Sequence, residues 1–146
     1  MTLSVEERAY LAGIIDGEGS IMLMHHKPEP GNRKWEHWQL RISISNTDIR
    51  LIHWLEARFP DSGHTTCRNV RNGQRSAFQW YAGSRKALPV LDAAFPYLVL
   101  KRRHAEIAYA YIATHKLVGR RGHPPETVSA RRTLAEELKA LNRRGS

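Results

Sequence analysis

Two carboxylates one residue apart, Asp16 and Glu18, close the stretch YLAGIIDGEGSI that runs from Tyr10 to Ile21, with Gly17 between them and Gly19 behind. The residues before them are apolar, so the stretch reads as a buried helix that ends by presenting negative charge. That end carries the negative pole of the helix dipole, where anions are disfavoured. A divalent cation would resolve the conflict, because hard oxygen ligands suit magnesium. The plainer alternative has Asp16 and Glu18 as solvated turn residues, a common place for Asp.

The elements that must carry these carboxylates are legible around them. Ser4 followed by Glu7 makes a capping box, so a first helix is expected from Val5 to about Asp16, stopped by Gly17 and Gly19. Gly13 in its middle costs about 1 kcal/mol relative to alanine. With Ala9 and Gly17 it forms a small-residue stripe that lets another backbone approach closely, either within the domain or from a second copy of the chain. In the second case the acidic tips would meet on a two-fold axis.

Strands follow over Ser20–Lys27 and Trp35–Ser45; in the latter Trp38, Leu40, Ile42 and Ile44 share one face, and Gln39, Arg41, Ser43 and Ser45 the other. Asn46 to Asp48 caps a second helix that ends before Pro60. Two shorter strands are expected near His64–Arg71 and Ser76–Ala82, joined at Asn72-Gly73. Helices over Arg85–Ala94 and about Val99–Thr114, a loop, and a basic amphipathic helix from Thr127 complete the chain.

This order predicts an α+β fold, a four-stranded antiparallel sheet with helices on one face, plus a C-terminal helix. Residues 1–116 form the core domain, and residues 117–146 a basic loop and helix packed on it. The other face of the sheet would carry Gln39, Arg41, Ser43, Arg68 or Asn69, Arg71, Gln79 and Tyr81. Such side chains read base edges and phosphates, although a polar outer face is also what water prefers.

Composition narrows the partner. The chain has 146 residues, a formal net charge of +9 and 41% hydrophobic residues, enough for one folded domain. Of its 23 Lys and Arg, 11 fall in the last 46 residues, against only 4 of its 14 acids. That asymmetry favours a polyanion over a merely solvated surface. No apolar run is long enough for a membrane helix, and the N-terminus has no secretory h-region. A single cysteine, Cys67, offers no internal disulfide, and the eight histidines lack zinc-like spacing to it. The expectation is a soluble intracellular protein, cytoplasmic or organellar.

Leu11-Ala12-Gly13-Ile14-Ile15-Asp16-Gly17-Glu18-Gly19 closely resembles the signature of the LAGLIDADG homing endonucleases. It departs by Gly17 for alanine and Glu18 for the second aspartate, and the glutamate keeps a metal-binding carboxylate. Phe95 to Lys101, FPYLVLK, is similar to the segment bearing that family's active-site lysine. The resemblance covers most of residues 4–114 and implies the αββαββα saddle-sheet fold. It implies a site-specific, metal-dependent endonuclease that hydrolyses both strands of double-stranded DNA and leaves 3′ overhangs.

Glu18 and the Gly17 carbonyl would hold magnesium, with manganese or calcium able to take the same site. Asp16 would orient the helix junction, Lys101 would sit near the scissile phosphate, and Asn46 (or Ser45) near the catalytic water. One motif in a chain of this length resembles the homodimeric class, with Ala9, Ala12 and Gly13 at the dimer interface and a near-palindromic target. Gln39, Arg41, Ser43, Arg68, Asn69, Arg71 and Gln79 are the candidate DNA contacts. Two other roles lie within the family: an RNA-binding intron maturase and a non-cleaving DNA-binding regulator.

Overall fold

Placement of the carboxylates begins with the first helix. In a computed structural model, which describes residues 2–27, 36–68, 76–117 and 124–144, helix α1 spans Val5–Glu18. The capping box is formed: the Ser4 hydroxyl accepts from the Glu7 amide at 3.1 Å, and the Ser4 amide donates to the Glu7 carboxylate at 3.0 Å. Leu11, Ala12 and Ile15 turn into the core, while Val5 and Tyr10 stay more than half exposed.

The helix continues two residues past the expected stop at Asp16, because Gly17 keeps helical geometry and Gly19 ends it. A Cβ at position 19 would lie 2.8 Å from the Ile15 Cα, so only glycine lets the chain turn this sharply off the helix into the sheet.

The sheet has four antiparallel strands, β1 (Gly19–His26), β2 (His37–Asn46), β3 (His64–Arg68) and β4 (Ala77–Gly83), in the order β1-β2-β4-β3. The alternation expected on β2 is present: Trp38, Leu40, Ile42 and Ile44 are buried, and they pack with Ile21 and Trp80 against the helices. Trp35, Asn69 and Arg71, and the Asn72-Gly73 turn, lie outside the described residues.

Helix α2 (Ile49–Arg58) begins at Asp48, whose carboxylate accepts from the Arg50 amide. The helix expected over Arg85–Ala94 divides into a 3-10 turn over Ser84–Ala87 and helix α3 (Leu88–Ala94), with Pro89 in the first turn. Helix α4 (Arg102–Ala113) starts three residues later than expected. The amides of Val99 and Lys101 are taken by the Asp16 carboxylate, which holds that segment off the helical path.

Helix α5 (Pro125–Arg144) lies against α4 and the β1 edge. Its Leu138 is buried, and Asn142 donates to the Ile21 carbonyl at 3.0 Å. Arg131 is buried too, donating to the Thr114 hydroxyl. No helix among the described residues is long and apolar enough to cross a membrane.

Candidate nuclease site and nucleic-acid interface

Three sequence segments converge on the C-terminal end of α1. Asp16 uses both carboxylate oxygens on backbone donors, Val99 N–H at 2.8 Å and Lys101 N–H at 2.9 Å. The Lys101 ammonium donates at 2.8 Å to the Asp16 carbonyl, one of the last carbonyls of the helix that no further turn satisfies. This cation sits where the negative pole of the helix dipole is strongest, which answers the electrostatic problem posed by the sequence. Asp16 is thereby a junction residue, tying α1 to the start of α4.

Glu18 is left outside that knot. Its side chain is exposed, and one carboxylate oxygen accepts from the Asn46 amide at 2.8 Å. Asn46 is fixed in turn, since its carbonyl oxygen accepts from the Asp48 N–H at 2.8 Å. Of Asn46 and Ser45, therefore, Asn46 is the residue at the carboxylate; Ser45 stands opposite Gln79 on the sheet.

Tyr10, Gly13, Ile14, Gly17, Glu18, Asn46, Asp48, Arg50, Leu51 and Trp54 line a groove of about 900 Å³ along the open side of α1. A Cβ at Gly13 or Gly17 would meet nothing within 4 Å. Ala9 is exposed on this helix as well, whereas Ala12, expected at a dimer interface, is 1% exposed and packs in the chain's own core. The small-residue stripe consequently faces outward through Ala9, Gly13 and Gly17.

Arg50 is a groove residue that sequence reasoning missed. Its side chain is 87% exposed and its guanidinium forks onto Asp48 at 2.6 Å, which with the Arg50 amide holds that carboxylate down at about pKa 2 through hydrogen bonds and, less, through charge. Its spacing in the sequence carries no signal, since a lone arginine in the first turn of a helix is a common surface cation. His104, one turn along α4 from Lys101, is buried, and its Nδ1 has no hydrogen-bond partner among the described residues. Burial first, and then the Lys101 charge, push its pKa below the usual histidine value.

The face of the sheet turned away from the helices carries Gln39, Arg41, Gln79, Tyr81, Thr66 and Arg68. Ser43, expected among the contact residues, is buried; its hydroxyl accepts from the Gln79 amide at 2.7 Å, so it holds Gln79 rather than standing free itself. Arg68 is exposed at the end of β3. Asn69 and Arg71 fall outside the described residues.

The donors at Glu18 fit a hard cation in kind but not in number. Among the described residues no three His, Cys, Asp or Glu gather, and the exposed carboxylate at the tip of α1 is that of Glu18. A full shell would need oxygens from outside the chain.

No protein-family model and no curated protein matches the sequence. Solved structures match by shape. The homing endonuclease I-CvuI, in complex with a DNA target, superposes with a TM-score of 0.74 at 18% identity over 93% of this chain and 82% of that one. The archaeal intron-encoded homing endonuclease I-Vdi141I, complexed with DNA, also gives 0.74, at 14% identity over 93% of this chain and 84% of that one. The LAGLIDADG homing endonuclease I-SmaMI, bound to cleaved DNA, gives 0.66 at 18% identity; 99% of this chain matches 49% of that one. Helix, two strands, helix, two strands and helices around an antiparallel sheet define an α+β endonuclease fold. It is the LAGLIDADG homing-endonuclease fold, and the motif that resembles the family's signature forms its first helix.

Proposed function

We propose that the protein is a site-specific, divalent-metal-dependent DNA endonuclease of the LAGLIDADG type, acting as a homodimer on a near-palindromic duplex and leaving 3′ overhangs. The observation that carries this reading is the exposed Glu18 carboxylate, held by Asn46 at the tip of α1 with Lys101 bonded to the same helix end. Structural neighbours solved with DNA support a DNA partner.

Glu18 and the Gly17 carbonyl are the residues to hold magnesium, which when bound supplies a water of lowered pKa and a Lewis acid for the leaving oxygen. Asn46 keeps the Glu18 carboxylate in one orientation. Lys101 offsets charge developing on the phosphate, and exposed Arg50 adds a second cation on the groove side.

The short donor set and the open stripe Ala9, Gly13, Gly17 share one remedy, a second copy laid along α1. Its tip would bring a second Glu18, and two strands of duplex would bring the phosphates. Incubation with a randomised palindromic duplex library and magnesium tests the reading: cut products enriched in one sequence are expected. Uncut duplexes across the library would contradict it.

A further inference from the structure

We propose that Arg41, seated over the Tyr81 ring, reads a guanine in each half-site, with Tyr81 as its positioning residue; this rests on the DNA-cutting reading above. The four strands contain no Asp or Glu, so the face that would meet DNA brings no internal counter-charge to its cations. Arg41 enters no ion pair among the described residues. Its guanidinium carbon stands over the Tyr81 ring, 4.1 Å from the centre, a cation–π contact that restrains where the fork can sit.

The residues directly opposite Arg41 offer no side-chain oxygen acceptor. They are Met22 on β1 and Gly83 on β4. A Cβ at Gly83 would come within 3.2 Å of the Gln39 amide nitrogen, so the glycine also leaves that amide its place beside Arg41. The Arg41 Nε is buried and has no acceptor among the described residues. The contact with Tyr81 restrains the guanidinium before any partner arrives, and its two Nη groups, rather than the covered Nε, are left to meet a ligand.

Guanine presents two acceptors, O6 and N7, on one edge in the major groove, and an arginine fork matches them bidentately. A phosphate would also accept, but it needs no fixed plane, and it belongs at the rim. Arg41 lies on β2, an interior strand of the sheet, whereas exposed Arg68 ends the edge strand β3. Position and geometry together favour a base.

The test is a binding selection from a randomised palindromic duplex library, with calcium in place of magnesium, on the wild type, Arg41→Lys, Tyr81→Leu and Tyr81→Phe. Wild type is expected to require guanine at one position of each half-site. Arg41→Lys is expected to lower that preference roughly ten-fold or more while leaving the other positions unchanged. Tyr81→Leu is expected to relax the same position, and Tyr81→Phe, which keeps the ring face, to restore it.

A uniform loss of affinity over all sequences in Arg41→Lys, with a shallower salt dependence, would make Arg41 a phosphate contact and overturn the proposal. So would an unchanged guanine preference in Arg41→Lys or Tyr81→Leu. If the wild type selects no duplex at all, the endonuclease reading itself fails, and this inference with it.

Discussion

At the scale of residues, the two acids of the motif have separate tasks. Asp16 spends both oxygens on backbone amides of residues 99 and 101, whereas Glu18 keeps an exposed carboxylate steadied by one amide. Asp16→Asn places an amide where two N–H groups expect an anion, and a drop of about 1–3 kcal/mol in unfolding free energy is expected in denaturant titration. Lys101→Ala keeps the fold but removes the cation at the helix end; cutting is expected to fall roughly 10²- to 10³-fold in single-turnover assays, with binding reduced far less. Glu18, Asp16 and Lys101 could be picked out as candidates in the sequence because each belongs to a short contiguous pattern. Arg50 and the Arg41–Tyr81 stack were not, since each depends on a packing or strand register that no local spacing encodes.

Among elements, the α1 and α4 junction governs the site. The expected start of α4 at Val99 failed for a tertiary reason: a carboxylate 83 residues away captures the amide of Val99. Strand β2 was readable from its period of two, and that same period put Ser43 outward without revealing that Gln79 would cover it. The buried His104 on α4 gives this junction a pH dependence. Its folded pKa is depressed, so the native imidazole stays neutral while the unfolded chain takes up a proton near pH 6.5. The unfolded state then binds more protons, and stability is lost as pH falls from about 6.5 toward the lowered native value, below which the loss levels off. Thermal melts from pH 7 to 5 should show a falling Tm, and His104→Gln should flatten that segment of the curve.

For the molecule as a whole, the open side of α1 is where a second copy would complete the site. A Cβ at Gly13 meets nothing in the single chain, so Gly13→Leu is expected to leave the fold intact and raise helix propensity by about 1 kcal/mol. The same substitution is expected to block close approach of a partner helix, shifting sedimentation from dimer to monomer and abolishing cutting. A dimer that survives Gly13→Leu unchanged would place the interface elsewhere. Sheet, helical layer and charge asymmetry were foreseeable from patterning, but the seating of α5 on the β1 edge was not, because its basic residues read alike whether buried, as Arg131 is, or paired at the surface, as Arg132 is with Glu36. The central claim is that the Glu18 carboxylate makes this basic chain of LAGLIDADG fold a nuclease. Cleavage of a selected duplex by wild type and Glu18→Gln in magnesium, with binding measured in parallel, tests it most directly: the account predicts equal binding and no cutting by Glu18→Gln, and undiminished cutting by that variant would contradict it.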